Sequence, residues 1–347
     1  MKLIIRALVI VIISTGIYVK SYSQDLHLSQ FDAAPLFFNP ALSGNFDGIN
    51  RFIGNWKSQW KVYNSTLLSY DQMLPDKITL AGGKFGFGGL ITRDIEGTLN
   101  YGYNQVHLMP SYHIPIIPND ILFLSAGLDL SMTQNVIDPS LGKLPSNIDP
   151  LTGNETTGIN GITKSSFYFD LAAGINAYTM IKGKYPINLG ITLSNFMKSG
   201  KSLITKSTEN ISRRFSINSN SVIRIDSSFS LLPSLIWLHQ NPSNEVNVGT
   251  FVKYAFKKSP YACYLGSWWR VNDALIFGAA IDFPGFQPNH VVNFGISFDA
   301  TLSSYSKSVQ WDKSKVGANS IEVSLKYIIK KGLFKYIPPV KLNPDIF

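Results

Sequence analysis

Five histidines, His27, His107, His113, His239 and His290, are the first residues to test for metal or proton chemistry. A zinc site needs about four donors within roughly 2.0–2.3 Å of one ion. His107 and His113, six apart, would share one face of an extended strand, yet stand too far apart to grip a single ion. The run Gly82-Gly83-Lys84-Phe85-Gly86-Phe87-Gly88 has the glycines of a phosphate loop. It lacks the Gly-Lys-Ser/Thr order and opens no helical pattern, so it reads as glycines of a tightly curved strand. No serine stands in a G-x-S-x-G elbow. Asp94 and Glu96 beside Gly97 read as turn residues, and Asp129 and Asp170 as polar residues of a lumen wall. Cys263 is the only cysteine, so it forms no internal disulfide and is expected as a small buried apolar residue. The residues therefore assemble no nucleophile–base pair, metal cluster or cofactor cradle. The chain reads as a non-enzyme with no catalytic residues.

The elements that would position any such residues are strands. From Asn50 onward the sequence alternates with period two, which sends successive side chains to opposite faces of a strand. Val292-Phe294-Ile296-Phe298 opposes Asn293-Gly295-Ser297-Asp299, and Ile321-Val323-Leu325-Tyr327 opposes Glu322-Ser324-Lys326. In the first strand Phe52 and Trp56 oppose Asn55, Lys57, Gln59 and Lys61. The pattern predicts about 14 strands, near 50–62, 65–74, 84–93, 98–113, 120–133, 166–180, 185–195, 212–226, 229–240, 244–257, 260–271, 273–283, 290–299 and 319–329. The fold class is all-β: a transmembrane β-barrel of antiparallel strands over 50–330. The three longest gaps, 134–165, 196–211 and 300–318, follow odd-numbered strands and so leave one end of the barrel. Long outer loops with short periplasmic turns are the outer-membrane pattern.

Composition agrees. Hydrophobic residues make up 45%, aromatic 13% and charged only 15% of 347 residues, against roughly 25% charged in an average soluble protein. No internal apolar run reaches the ~18 residues of a helical span. Residues 1–23 form a signal peptide: Lys2 and Arg6, then the apolar stretch 7–13, then small residues before a cut after about Ser23. Of 31 basic residues the leader holds Lys2, Arg6 and Lys20, leaving 28 against 22 acidic ones. The excess is scattered, whereas a nucleic-acid surface needs it on one face, so nucleic acid is excluded as a partner. Outer-membrane lipid is the expected partner of the outward face. Trp56, Trp60, Tyr63, Trp237, Tyr261, Trp268 and Trp269 are expected in interfacial girdles. Residues 331–347, with Pro338, Pro339 and Pro344, cannot be a central strand and read as a periplasmic tail.

Between leader and first strand, residues 24–49 are neither. Phe31, Phe37 and Phe38 carry apolar surface to bury, and the lumen is the obvious place. Asn39-Pro40-Ala41 lies at the centre of the segment. Proline fixes φ and has no N–H to satisfy, while asparagine bonds backbone in turns.

These residues carry a resemblance. Gln24-Asp25, Leu28-Ser29-Gln30-Phe31, Phe38-Asn39-Pro40-Ala41-Leu42-Ser43-Gly44, Arg51, Asn55-Trp56 and Gln59-Trp60 resemble the opening of the PorP/SprF family. Ser69-Tyr70-Asp71, Leu302-Ser303-Ser304-Tyr305 and residues 320–327 fit it too, so the likeness spans the mature chain. It departs in Leu26, where proline is frequent, and in a longer tail. The resemblance implies a non-enzymatic outer-membrane component of the type IX secretion and gliding machinery, partnered by a secreted surface adhesin and other components of that system. Asn39-Pro40-Ala41 is also similar to the hatch of FadL-type channels, which implies a segment that enters and blocks the lumen. Gln30, Phe31, Phe38, Asn39, Pro40 and Ala41, with Arg51, Asn55 and Gln59 on the first strand, are then the candidate hatch and lumen-facing residues. The alternative is an outer-membrane transporter of hydrophobic small molecules. That would require an apolar pocket behind the hatch or a lateral gap between strands.

Overall fold

The computed structural model describes residues 26–330, except 61, 76–78, 81, 98, 118–121, 139, 141–164, 182–184, 198–210, 288 and 304–318. The leader, the tail and most of the three long connections thus lie outside the described residues. Two of the strand pieces, Thr79–Leu80 and Ile223–Arg224, are two residues long. The other fourteen cross the wall. They are β1 (Asn50–Gln59), β2 (Tyr63–Met73), β3 (Gly83–Glu96), β4 (Tyr101–Ile117), β5 (Leu122–Val136), β6 (Ser165–Ile181) and β7 (Tyr185–Ser194). They continue as β8 (Arg214–Ser221), β9 (Phe229–Gln240), β10 (Ser243–Ala255), β11 (Ala262–Arg270), β12 (Ala274–Pro284), β13 (His290–Thr301) and β14 (Asn319–Ile329). Each pairs antiparallel with the next, and β14 returns to β1 from Asn50↔Ile329 to Gln59↔Ser320. Closure leaves no unpaired edge to seek another chain.

Fourteen strands stand where the alternation puts them, with differences confined to their ends. β4 runs on to Ile117, and its register with β5 shifts between Pro115 and Ile117, where proline offers no N–H to the ladder. The two ends of the barrel differ. The gaps after β5, β7 and β13 share one end, the loop end, and β1 rises toward it from the opposite, turn end.

The outward face is apolar: Phe169 is 64% exposed, Ile175 60% and Leu265 67%. Inward residues are polar and buried, among them Asn55, Lys57, Asn188 and Thr192. Cys263 departs from expectation, because it takes an outward position on β11 and is only half-buried. Trp56, Tyr261 and Trp269 are exposed on the outer surface, whereas Trp268 points inward and is buried. Strand parity alone separates Trp268 from Trp269.

The apolar core lies inside the cylinder. Leu26, Leu28, Phe31, Leu36, Phe37 and Phe38 pack against inward Leu67, Leu90, Met109, Ile236, Phe251, Trp268 and Ile276. Residues 26–48 therefore occupy the lumen that an empty barrel of this size would leave to water. Local structure in this segment is short: a 3-10 turn at Phe31–Ala33, an α-helical turn at Pro35–Phe38 and a second 3-10 turn at Pro40–Leu42. Proline starts the last two, at the first helical position, where the missing N–H costs nothing.

Candidate functional site

The lumenal segment threads the barrel from end to end. Its head, Leu26 to Gln30, meets β1, β13 and β14 near the loop end. Its foot, Ser43 to Gly48, meets β2, β4 and β14 at the turn end.

Ser29 sits in the densest cluster. Its backbone N–H donates to Glu322 Oε2 at 2.6 Å and its hydroxyl to Asp299 Oδ2 at 2.6 Å. The same oxygen accepts from Lys57 Nζ at 2.6 Å and from the Arg270 guanidinium at 3.2 Å. Lys57 also reaches Asp299 at 3.1 Å and Glu322 at 3.9 Å. Arg270 bridges Asp299 at 3.3 Å and Glu245 at 3.4 Å, and Glu245 pairs with His27. Lys57, Asp299 and Glu322 are at most 1% exposed. Burying ions this deeply costs several kcal/mol each unless geometry and hydrogen bonds offset it. Much of that compensation comes from Ser29 and Gln30, so the charged layer is complete only with the segment in place.

Gln30 adds two bonds of its own, Nε2 donating to Glu322 O at 2.9 Å and its side-chain oxygen accepting from Ser324 at 2.6 Å. Asn55 donates to the second Glu322 oxygen at 2.7 Å. Phe31 stands edge-on to Phe38 at 6.4 Å and to Trp268 at 5.9 Å. Offset and edge-on pairs of this kind add to plain burial.

Asn39 has two tasks. Its side-chain oxygen accepts from Ala41 N–H at 2.9 Å, closing the turn, and its amide donates to Ile175 O at 3.1 Å and Asn218 at 3.3 Å. The wall opposite is flattened by inward glycines on three successive strands, Gly127, Gly174 and Gly190. A Cβ at Gly127 would overlap the Pro40–Ala41 backbone, and one at Gly174 or Gly190 would overlap the Asn39 amide. Gly86 and Gly88 make the same kind of room for Ser43. Close approach of the segment explains Gly86 and Gly88, whereas Gly82 takes a positive φ of 78° in the turn and Gly83 faces Tyr112 of the neighbouring strand.

The foot is anchored by Arg51 and Asp71, both fully buried. The guanidinium donates to the carboxylate through Nε at 2.9 Å and through a terminal nitrogen at 2.8 Å, while Gly44 N–H donates to the same carboxylate at 2.8 Å. Arg51 also lies over the Phe46 ring at 4.5 Å. The Ser43 carbonyl accepts from the Ser111 hydroxyl at 2.7 Å and lies 2.8 Å from His113 Nε2.

Eight of the nine candidate residues are therefore buried in one continuous contact between segment and wall. Gln59 stands apart, half-buried at the loop end of β1. The sequence reading missed Ser29, Glu322, Asp299, Arg270, Glu245 and His27. Their partners lie up to 293 residues away, and no local pattern pairs them. For Glu322 and Asp299, inward parity with charge was the one available signal.

Chemistry beyond docking is thin. His107 Nδ1 lies 2.9 and 3.0 Å from the two Asp129 oxygens, but its Nε2 has no hydrogen-bond partner among the described residues. The pair thus orients no hydroxyl nucleophile, which acyl transfer would require. Among the described residues no three His, Cys, Asp or Glu side chains are placed to hold a metal ion.

The family described as type IX secretion system membrane protein PorP/SprF matches residues 20–327. No curated protein matches the chain. Among solved structures, the CymD monoaromatic hydrocarbon channel superposes with a TM-score of 0.50 at 9% identity, covering 85% of this chain and 92% of that one. A Pseudomonas aeruginosa FadL homologue gives 0.48 at 10% identity, covering 83% and 92%. The Ralstonia pickettii toluene transporter TbuX gives 0.48 at 10%, covering 85% and 92%. At such identities the likeness concerns the fold alone.

Proposed function

Because the chain belongs to the PorP/SprF family of type IX secretion system membrane proteins, we propose that it is a non-enzymatic outer-membrane component of that secretion and gliding machinery, supporting export or surface attachment of specific adhesin-type proteins. The observation that carries this reading is the filled lumen. A barrel whose interior is occupied by residues 26–48, hydrogen-bonded to buried charges and set against glycine-flattened walls, has its surfaces rather than an open bore to work with among the described residues. The turn end faces the periplasm and the three long connections face outward, where they meet the exported partner and other components of the system. The leader is removed after about Ser23, and the apolar outer face sits in lipid. Transport of hydrophobic molecules would need a continuous apolar route, whereas Lys57, Arg270, Asp299 and Glu322 form a charged layer across it.

Deletion of the gene, followed by surface proteomics of intact cells, tests the reading. At least one adhesin is expected to leave the surface and be restored by complementation. Retention of every surface adhesin at wild-type level would overturn it.

A further inference from the structure

Below the charged layer, between the lumenal segment and the wall from β8 to β14, lies a cavity of about 290 Å³. That is roughly twice the ~150 Å³ of an apolar cavity that admits benzene. Its closed end is aromatic: Phe31 against Trp268 at 5.9 Å, Phe251 against Trp268 at 4.5 Å and against Tyr264 at 5.9 Å. Its turn-end mouth carries Lys253, Lys326 and Lys330 together with Asp32, Asp47 and Asp282.

The wall of this cavity has a break. On β10 to β14 only inward residues line it, but on β8 and β9 both faces do: outward Ser219, Ser221, Pro233 and Leu235 as well as inward Asn218, Asn220, Ser234 and Ile236. The β8–β9 ladder runs from Gln240↔Arg214 to Ser234↔Asn220 and stops. It resumes only at Ile223↔Leu231. The unpaired step falls at Pro233, which has no N–H to give its neighbour, and proline within a paired strand is otherwise confined to edges and bulges. The β4–β5 ladder skips a like step at Pro110, between Leu108↔Leu130 and Ser111↔Gly127, but no residue of those two strands lines the cavity, whereas at Pro233 the interior aromatic space meets the outer surface where the ladder lapses.

We propose that this cavity binds one acyl chain of a phospholipid of the surrounding membrane, inserted through the Pro233 break, with its tail against Phe251 and Trp268 and its headgroup left at the membrane surface. Phospholipid is the favoured source because the break opens sideways, and Pro233 lies four residues from the turn-end start of β9, at the depth of the adjoining leaflet. The charged layer above closes the route onward, so the chain is held rather than passed through. This holds whichever secretion partner the barrel serves.

The test is photolabelling of the full-length protein in nanodiscs of phosphatidylethanolamine bearing a diazirine on one acyl chain, with adducts mapped by mass spectrometry. Adducts are expected on inward Phe251, Tyr264 or Trp268 in addition to outward Leu265 and Phe277. Ala280→Phe fills the cavity from an inward position. Pro233→Val restores the missing donor from an outward one and leaves the cavity unfilled. Each is expected to lower the inward adducts about tenfold with outward adducts unchanged, folding being verified by heat-modifiable migration. Two variants at opposite sides of the wall keep the test decisive if one misfolds. Inward residues that stay unlabelled, or inward labelling that persists in the folded variants, would overturn the proposal. Labelling of inward residues by an added diazirine fatty acid but not by the phospholipid would overturn it too, because the occupant would then be a free amphiphile.

Discussion

Replacing Glu322 by glutamine tests the charged layer at its most exacting point. The carboxylate accepts from Ser29 N–H at 2.6 Å, Gln30 N–H at 3.2 Å and Asn55 at 2.7 Å, with Lys57 at 3.9 Å. Glutamine keeps the shape but has one acceptor oxygen, and its amide must turn two N–H groups toward donors. A hydrogen bond to a charged group contributes about 1.5–3 kcal/mol, and a buried donor left unmet costs about 1–3 more. Lys57 keeps Asp299, so only part of its pairing is lost. A loss of about 3 kcal/mol in docking of the segment is therefore expected. At 1.4 kcal/mol per tenfold, that multiplies the undocked population about 100-fold. The assay is thiol labelling in a Cys263→Ser background with Ala34→Cys as reporter, Ala34 being 1% exposed within the segment. Labelling through local opening tracks that population. A rise of under about threefold, in a barrel that still migrates as folded, would refute the reasoning.

Three further outcomes follow from the same contacts. Gly127→Val places a side chain on the Pro40–Ala41 backbone, and overpacking of this kind costs about 1–3 kcal/mol; Ala34→Cys labelling should accelerate while the barrel itself still forms. Asp71→Asn leaves the buried Arg51 guanidinium short of its counter-charge, a loss of about 3–5 kcal/mol that should lower the unfolding midpoint in detergent, with Asp71→Glu retaining part of it. Ile175→Arg sets a cation on the exposed apolar outer face midway along β6, and should cost about 2–4 kcal/mol in equilibrium folding into vesicles.

The barrel was legible because its signal is local and repeated. An apolar outer face and a polar inner one impose the period-two pattern along the strands, as at Ile321 to Tyr327, and antiparallel neighbours need only short turns. Strand ends were less legible, since β4 continues past Pro115 to Ile117 only through a register shift that a period-two pattern does not reveal. Parity was harder where both faces are aromatic. Trp268 and Trp269 are identical in type and adjacent, and only their surroundings separate them, Phe31 and Phe251 for one and the exposed outer surface for the other. The apolar run Phe31 to Phe38 showed that something had to be buried. What the run docks against was hidden, because Ser29 meets Lys57, Arg270, Asp299 and Glu322 from four separate strands. Glycines 127, 174 and 190 lie scattered in sequence and converge only once β5, β6 and β7 are side by side.

The most direct test of the account is conductance in planar bilayers of the full-length protein and of a variant lacking residues 26–46. A lumen filled by this segment predicts no steady open level for the full-length barrel and stepwise channel opening for the deletion variant. A large, steady conductance from the full-length protein, unchanged by the deletion, would contradict it.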